Sequence, residues 1–477
     1  MAPLFHSRGS ISPPRALRAF ARVFHEAGYQ CFLVGGALRN IAMGSAPSDW
    51  DIATDATPDQ VSGLFRRVIP TGAKHGTVTV LFKDEKIEVT TFRTEAGYSD
   101  SRHPDSVAFS RSIHEDLKRR DFTMNGMALD LASGEFVDPH NGLQDIQRRT
   151  IRAIGDPTER FSEDALRVLR ALRFAAQLDF EIEEPTFNAI QKSKDGLIAV
   201  SAERIRDELI RILQSPIPSR GLLPAEKTGV LELILPELHA CAGVEQADPP
   251  AAVLARVSEF PYFDVLHHSL LACDGAPAEV LEVRMAALLH DIGKAPTFAR
   301  DAEGVISFHH HEELSAQMAE AILARLRFPT VFVKTVCRLI RNHMFHYEPE
   351  WSDAAVRRFI ARSGADLLPY LYLLRRADTF GKTGRATPDS RLDELERRVN
   401  TVAEADDALS IADLAVNGND LAGVGIPKGP MMGVVLSFLL ETVLDDPTEN
   451  TREKLLNLAR AFYHAQGGGA PEGSGPR

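Results

Sequence analysis

The sequence is poor in cysteine and contains no long apolar run. Its 477 residues include four cysteines, Cys31, Cys241, Cys273 and Cys337, and no two of them form a CxxC pair. This spacing argues against a zinc knuckle and against the disulfide framework of a small secreted domain. No apolar stretch approaches the roughly 20 residues that a membrane-spanning helix requires. The sequence therefore predicts a protein of the reducing cytoplasm that is neither secreted nor embedded in a membrane.

Positive charge is also in short supply, because 54 Lys and Arg stand against 66 Asp and Glu and the formal net charge is −12. A protein that coats nucleic acid through bulk electrostatics needs the opposite balance, since cationic side chains must displace phosphate counterions. The arginines are unevenly distributed, however, and seven of them lie between Arg148 and Arg173. A polyanion could bind at that stretch, although most such clusters are solvated helix faces.

The length of the chain predicts several domains, because single hydrophobic cores rarely grow beyond about 250 to 300 residues. Helical spacing of apolar residues predicts a helix over 14–27, and short apolar or alternating runs predict strands over 31–34, 50–53, 77–82 and 86–93. After about Leu143 the strand signals stop and the remainder is predicted to be helical. The expected organisation is an α/β head with a small mixed sheet (1–150), a helical neck (151–250), a helical body (251–385), a helical tail domain (386–466) and a disordered Gly/Pro-rich end (467–477).

Two acidic residues, Asp49 and Asp51, lie on one predicted strand. Side chains two residues apart on a strand point to the same face, where paired carboxylates can ligate a hard cation such as Mg²⁺. Glu88, on the neighbouring predicted strand and opposite in parity to the apolar Ile87 and Val89, is a candidate third acid. An acid-x-acid pair alone is more often solvated surface than a metal site.

A glycine pair precedes these acids along the chain. Gly35 and Gly36 stand between a predicted strand and a predicted helix, where backbone N–H groups can approach phosphates. Arg39 adds a fork-shaped cationic donor that suits phosphate. Taken alone, the two glycines would fit an ordinary tight turn.

Together with further motifs, these residues resemble the bacterial class II tRNA nucleotidyltransferases, the CCA-adding enzymes, which are related to bacterial poly(A) polymerase. The resemblance covers about residues 28–463, and its most specific segments are 33–39, 49–54, 71–77, 88–93, 98–104, 119–125 and 160–167. One departure is Asn40, where the family usually has Asp, and it puts one contact behind the site in doubt.

The resemblance implies a polymerase-β-like nucleotidyltransferase head that acts with Mg²⁺ bound at Asp49 and Asp51. In the implied reaction, a tRNA 3′-hydroxyl attacks the α-phosphate of CTP or ATP and pyrophosphate leaves. The family assigns Arg120, Arg170 and Arg173 to the neighbourhood of the triphosphate. Residues 98–110 are expected to form a mobile loop, which in the family helps the switch from C to A addition and therefore favours addition of the full CCA.

The resemblance also gives Asp164 and Arg167 the task of reading the base. On a helix predicted over 163–173, these residues are three apart and would share a face. A carboxylate only accepts hydrogen bonds and a guanidinium only donates them, so the pair suits an exocyclic amino group beside a ring nitrogen. Cytosine and adenine offer that combination, whereas uracil and guanine present a carbonyl instead. Without the upstream motifs, an ordinary surface ion pair would be the default interpretation.

A second group of polar residues lies in the predicted body. His290 and Asp291 end an apolar helix and, with His268 upstream and Asp378 downstream, follow the order of ligands in the HD phosphohydrolase superfamily, which this segment resembles. His311 and His343 occupy positions where two-metal members carry extra ligands. Imidazoles beside carboxylates suit Mn²⁺, Ni²⁺ or Fe as well as Mg²⁺. The alternative for any single histidine is a satisfied core residue.

Three other functions remain open at this stage. A poly(A) polymerase would use the same chemistry with a less defined product length. The chain could instead be chiefly an HD phosphohydrolase with a nucleotide-sensing head, or an RNA-binding protein without catalysis, although the intact acidic ligands argue against the last. The expected partners are tRNA, CTP and ATP; the sequence does not indicate an oligomeric state, the number of nucleotides added or the identity of the second metal.

Overall fold

A computed structural model describes residues 15–47, 49–73, 76–96, 106–246, 264–404 and 408–466. The chain divides into two compact units, Met1–Ala242 with Ala321–Pro329 and Gly243–Glu320 with Thr330–Arg477. Most of the predicted loop over 98–110, the predicted boundary between neck and body at 250/251 and the predicted disordered end at 467–477 lie outside the described residues. The five-part division predicted from the sequence therefore remains a prediction.

The first unit begins with a mixed sheet. The strands of the head are β1 (Phe32–Val34), β2 (Trp50–Thr54), β3 (Val68–Gly72), β4 (Thr77–Phe82), β5 (Glu85–Thr91), β6 (Arg93–Ala96), β7 (Ser106–Phe109), β8 (Ala128–Asp130) and β9 (Phe136–Val137). Their order in the sheet is β3-β4-β5-β2-β1-β8-β9. Strand β2 runs parallel to β5, and the other neighbouring strands are antiparallel. Its helices are α1 (Arg15–Glu26), α2 (Gly35–Ala42), α3 (Pro58–Leu64), α4 (Ile113–Lys118) and α5 (Gly142–Gln147). The predicted α/β head with a small mixed sheet is confirmed.

An aromatic cluster packs α1 against the sheet. Phe20 and Phe24 are fully buried on one face of the helix, as the apolar spacing predicts. The ring of Phe20 stacks on Phe65 at 4.7 Å and meets Phe82 edge-on at 5.4 Å between centroids. Aromatic pairs in these geometries add to the free energy gained by burial.

The hairpin between β4 and β5 is also confirmed, but its turn lies one residue earlier than predicted. Lys83 and Asp84 have φ values of 47° and 67°, the left-handed conformations of a type I′ turn. Glu85 pairs with Phe82 and so belongs to β5. Along β5 the buried Ile87 and Val89 alternate with the exposed Glu88, which is the predicted parity.

The rest of the first unit is mainly helical. Its helices are α6 (Pro157–Glu163), α7 (Leu166–Leu178), α8 (Glu184–Ser193), α9 (Ala202–Leu213), α10 (Ser219–Lys227), α11 (Val230–Ile234) and α12 (Pro236–His239). A two-stranded parallel ladder, β10 (Thr150–Ile151) with β11 (Glu181–Ile182), was not predicted because a run of two residues has no periodicity to detect.

The second unit is built from helices and one short hairpin, β12 (Phe298–Arg300) with β13 (Ile306–Phe308). The helices are α13 (Val265–Gly275), α14 (Leu281–Leu289), α15 (Lys294–Thr297), α16 (His311–Arg325, of which 311–320 belong to this unit), α17 (Thr330–Asn342), α18 (Asp353–Ser363), α19 (Leu368–Thr383), α20 (Ser390–Glu404), α21 (Gly418–Gly423), α22 (Pro430–Asp445) and α23 (Arg452–Ala465). Two glycines allow α13 and α19 to approach closely. A Cβ on Gly275 would lie 2.5 Å from Phe380 Cβ, and one on Gly381 would lie 2.9 Å from the His268 ring.

Helix α19 ends close to the predicted end of the body at 385. It continues to Thr383, and Gly384, with a φ of 67°, caps it in the left-handed conformation. Gly381 lies inside this helix, where it contacts α13. The last helices form their own core, in which Phe438 stacks on Phe462 at 4.1 Å between ring centroids.

The four cysteines are all buried and free. Among the described residues, every helix falls short of the length and apolarity that a membrane crossing demands.

Phe20→Ala should destabilise the first unit markedly, because it removes a buried ring from the aromatic cluster and leaves a cavity. Phe-to-Ala changes in cores typically cost about 3 to 5 kcal/mol. Phe109→Ala, at a ring that is 50% exposed, is the matched control. Differential scanning calorimetry should show a clear fall in Tm for Phe20→Ala only, and equal shifts in both variants would contradict the assigned core.

Candidate active site and metal centre

Asp49 and Asp51 line a cavity of about 1060 Å³ in the first unit. Asp51 lies on β2, and Asp49 immediately precedes that strand. In the parallel register of β2 and β5, Asp51 stands beside Glu88, which lines the same cavity. The structure therefore brings the three sequence-predicted acids to one wall.

Gly35 permits the backbone to pass directly behind Asp51. Its φ of 67° is left-handed, and a Cβ built on it would lie 2.9 Å from Asp51 Oδ2 and 3.4 Å from Arg120 Nη1. Helix α2 begins at Gly35 itself, and the Gly36 N–H donates a hydrogen bond to the Asp51 carboxylate. The glycine pair is therefore more than a tight turn, because it holds a carboxylate at a helix N-terminus.

The three acids are under electrostatic strain. Burial raises the pKa of Asp51, and the charge of Asp49 raises it further. Burial also raises the pKa of Glu88, followed by the charges of Asp51 and Asp49. A bound divalent cation would relieve this repulsion.

The donor set fits a cation that is shared with a ligand. Among the described residues, groups of three metal-ligating atoms within 4.8 Å of one another occur in the second unit, and Asp49, Asp51 and Glu88 form no such group. Mg²⁺ commonly takes one or two carboxylates and completes its shell with water and substrate phosphates. Two carboxylates on the wall of an open cavity match that pattern.

Arginines line the same cavity as the acids, and each of the predicted ones is found there. The lining arginines are Arg39, Arg93, Arg119, Arg120, Arg167, Arg170, Arg173, Arg204 and Arg211. Three of them, Arg39, Arg170 and Arg173, place their guanidinium groups 5.1, 5.6 and 4.4 Å from the centroid of the Phe174 ring. Phe174 thus anchors part of a cationic surface.

Buried carboxylates hold several of these arginines in place. Asp116 is fully buried and pairs with Arg119 at 2.6 Å and Arg120 at 3.1 Å. Asp121 accepts a hydrogen bond from Arg170 Nε at 2.8 Å. Burial alone would raise the pKa of Asp121, but Arg170 and the Asn125 amide hold it well below its usual range. Asn40, the departure from the family pattern, accepts a hydrogen bond from Arg39 Nη2 through its Oδ1 at 2.9 Å.

The helix predicted over 163–173 is found only from Leu166 onward, because the chain breaks at Asp164. Helix α6 ends at Glu163, Asp164 is extended with φ −144° and ψ 104°, and α7 begins at Leu166. The Asp164 side chain accepts the Leu166 N–H at 3.1 Å, a local hydrogen bond that competes with helix formation. Asp164 and Arg167 therefore do not share a helix face, although both line the cavity.

Sequence reasoning missed the partners of this base-reading pair. Arg204, on α9, binds Asp164 at 3.1 Å, and Glu163 accepts a hydrogen bond from Arg167. Glu163 lies four residues before Arg167, which is a spacing typical of acid–arginine pairs. This contact could therefore have been predicted from the sequence. Arg204 lies 40 residues downstream of Asp164, and no spacing rule links the two.

The second unit assembles all six histidine and aspartate residues predicted there. His268 lies on α13 and Asp378 on α19; the others, His290, Asp291, His311 and His343, lie at helix ends, and all six side chains are buried. His268 Nε2 lies 3.3 Å from Asp291 Oδ2 and 3.2 Å from Asp378 Oδ1. His311 Nε2 lies 3.3 Å and His343 Nε2 3.8 Å from Asp291 Oδ1.

Three of these imidazoles have a tautomer fixed by the backbone. The Nδ1 atoms of His290, His311 and His343 contact the carbonyl oxygens of Ala287, Phe308 and Ile340 at 2.9, 2.9 and 2.6 Å. A carbonyl only accepts, so Nδ1 carries a proton and Nε2 is the nitrogen that faces inward, as in metal sites. His311 Nε2 is buried and makes no hydrogen bond. The residues present fit a bound cation.

Cationic groups balance the two carboxylates. Lys294 binds Asp291 at 2.7 Å, and Lys382 binds Asp378 at 2.7 Å. Burial alone would lower the pKa of His290, but Asp291 and Asp378 raise it to about 9. Burial lowers the pKa of His343 to about 3, with the charge of His290 acting in the same direction.

Three families match successive parts of the chain. Residues 31–152 match the poly A polymerase head domain, 179–241 the probable RNA- and SrmB-binding site of polymerase A, and 263–381 the HD domain. These families imply divalent metals in both units.

Individual relatives extend this likeness to nearly the whole chain. A CCA-adding enzyme of Enterococcus faecalis is 32% identical over 443 residues, which cover 92% of this chain and 94% of the relative. One of Lactobacillus helveticus is 48% identical over 191 residues, and this match spans 40% of the chain and about half, 48%, of the relative. The crystal structure of the Bacillus stearothermophilus CCA-adding enzyme in complex with CTP superimposes with a TM-score of 0.69 at 27% identity, covering 95% of this chain and 99% of that one. The chain therefore belongs to the family of CCA-adding enzymes.

Proposed function

We propose that this protein completes the 3′ end of tRNA by adding CCA from CTP and ATP without a nucleic-acid template. The observation that carries the proposal is one cavity lined both by the three acids and by a group of arginines. In each step the tRNA 3′-oxygen forms a bond to the α-phosphorus, the bond from that phosphorus to the pyrophosphate oxygen breaks, and the hydroxyl proton is lost. Membership of the CCA-adding enzymes and the CTP bound in a relative's structure support this substrate choice.

Asp49 and Asp51 are the proposed Mg²⁺ ligands, and Glu88 is the proposed third acid. When bound there, Mg²⁺ ions would supply charge neutralisation at the triphosphate and lower the pKa of the attacking hydroxyl. The Gly36 N–H keeps Asp51 oriented, and Gly35 leaves the space that this orientation needs.

The arginines are proposed to bind and orient the triphosphate. Arg39, Arg120, Arg170 and Arg173 already have their side chains held by amide oxygens, carboxylates or the Phe174 ring. A preorganised guanidinium loses less conformational entropy when it binds phosphate. The arrangement thus positions the α-phosphate rather than merely attracting it.

Asp164 and Arg167 are proposed to choose the base. The carboxylate would accept from the amino group of cytosine or adenine, and the guanidinium would donate to the adjacent ring nitrogen. A carbonyl in place of the amino group would leave a buried acceptor unpaired, which can cost orders of magnitude in selectivity.

A second, metal-dependent phosphohydrolase activity is proposed for the HD site. Its support is the assembly of four histidines around Asp291 and Asp378, three of them with Nδ1 bound to a backbone carbonyl. Mixed imidazole and carboxylate donors suit Mn²⁺ or Ni²⁺ as well as Mg²⁺. The cytoplasmic location predicted from the sequence fits tRNA as a substrate and stays a prediction.

Asp49→Ala should lower nucleotide incorporation roughly 10³-fold, because a lost metal ligand removes several kcal/mol of transition-state stabilisation. The assay offers tRNAs that lack CCA, carry its first C or carry both Cs, with CTP, ATP or both in Mg²⁺, and the products are sequenced. Asp59→Ala, at an exposed acid on α3, should behave as wild type. Hydrolysis of p-nitrophenyl phosphate at the HD site should survive both changes.

Each outcome of this assay is decisive. Defined CCA ends support the proposal, and long A tracts from ATP alone would indicate a poly(A) polymerase. Wild-type protein that incorporates nothing into any of these tRNAs would sink the main proposal.

Gly35→Ala should abolish nucleotide transfer while leaving the fold intact. The added Cβ would meet Asp51 Oδ2 at 2.9 Å, and a left-handed φ disfavours any side chain. Gly63→Ala, in open space on α3, is the matched control and should be silent. Steady-state incorporation together with circular dichroism separates the two effects; an active Gly35→Ala variant would contradict the assigned geometry.

Asp291→Ala should remove bound metal from the HD site. Mn²⁺ or Ni²⁺ should raise the Tm of the wild type, because a ligand that binds only the folded state stabilises it. This rise should vanish in Asp291→Ala and persist in Asp366→Ala, at an exposed surface ion pair. Metal analysis after dialysis gives an independent reading, and a wild type that neither binds nor responds to Mg²⁺, Mn²⁺ or Ni²⁺ would refute the metal centre.

A further inference from the structure

Helix α9 turns one polar stripe toward the cavity. Arg204, Glu208 and Arg211 follow helical spacing, and both arginines line the cavity. Glu208 is buried and binds Arg173 at 2.9 Å, while Leu209, Ile212 and Leu213 bury the other face of the helix. The stripe therefore belongs to the site rather than to a solvated surface.

Arg204, the first residue of this stripe, contacts Asp164. A single nitrogen, Arg204 Nη2, lies 3.3 Å from Asp164 Oδ1 and 3.1 Å from Oδ2. Both side chains are mostly buried, with 23% and 19% of their surfaces exposed. A charge-assisted contact with this little solvent is worth more than a surface ion pair.

Asp164 needs an external restraint because the backbone gives it little support. It lies in the extended break between α6 and α7, so no helix face fixes the direction of its side chain. The one restraint from its own segment is the Leu166 N–H, which donates to Oδ1. Arg204 contributes a second restraint that spans both oxygens.

The hydrogen bonds already made identify the oxygen that remains for a ligand. Within the described part of the chain, Oδ1 accepts from Leu166 and from Arg204, whereas Oδ2 accepts from Arg204 alone. Each carboxylate oxygen offers about two acceptor sites. Oδ2 thus keeps one site for a donor that enters the cavity.

We propose that Arg204 is a specificity-determining positioning residue that holds Asp164 so that Oδ2 accepts the exocyclic amino group of cytosine or adenine. The inference rests on the proposed function and deepens it. Without Arg204, Asp164 can rotate away, and Arg167 alone can donate equally well to the carbonyl of uracil. Loss of Arg204 therefore weakens selection between bases more than it weakens transfer itself.

Arg204→Met should raise the KM for CTP and ATP about tenfold with little change in kcat. The kcat/KM for UTP should fall much less, so that the ratio of CTP to UTP incorporation drops about tenfold. Arg204→Lys should restore most of this ratio, because the observed contact uses one nitrogen that an ammonium can replace. Arg206→Met, at a neighbouring arginine that binds Asp207 at 2.8 Å, is the matched control and should preserve the ratio.

Three further measurements distinguish a failure of this proposal from a failure of the proposed function. An equal fall in kcat/KM for all nucleotides, without rescue by Arg204→Lys, would mean that Arg204 has only a structural role and would overturn the proposal. In an Asp164→Ala background, Arg204→Met should have no additional effect on selectivity, since both residues act through one contact. Calorimetric titration of wild type and Arg204→Met with CTP and UTP measures selectivity without transfer, so an inactive wild type would defeat the proposed function alone.

Discussion

Both sites depend on charged side chains that are buried away from water and must therefore be neutralised by partners inside the protein. In the first unit, three buried carboxylates each form an ion pair with an arginine: Asp116, Asp121 and Glu208. These carboxylates hold arginines of the cavity in place. Asp51 and Glu88 instead keep raised pKa values beside Asp49. A carboxylate thus holds an arginine in place where a guanidinium neutralises its charge. Where its charge is only partly neutralised, a carboxylate can bind a cation instead.

The sequence was most informative where one local pattern decides the structure. Alternation along β5 placed Glu88 opposite Ile87 and Val89, as found. The spacing of Asp49 and Asp51 predicted that they would lie together, and both line the cavity although Asp49 precedes the strand. It failed at Asp164, because helical spacing continues through 162–177 while a single side-chain hydrogen bond breaks the helix. The Arg204 contact could not be predicted either, since it depends on how α9 packs against α7.

In the second unit, too, some contacts could be predicted from the sequence and others depend on packing. The order of its histidines and aspartates in the chain predicted which residues would meet, and the structure brings all six together. The backbone carbonyls that fix the imidazole tautomers have no signature in the sequence, because every residue carries one. The lysines at Asp291 and Asp378 lie three and four residues downstream of them on helical turns, a spacing that could have been noticed.

Gly381 shows how close packing against His268 restricts a position on a neighbouring helix. Glycine inside a helix costs about 1 kcal/mol relative to alanine, yet α19 carries one where a Cβ would lie 2.9 Å from the His268 ring. Every nonsynonymous change at this codon adds a Cβ or truncates the chain. Substitutions at Gly381 are therefore restricted by its contact with His268, more than a hundred positions upstream. Nothing in its own helix would forbid them.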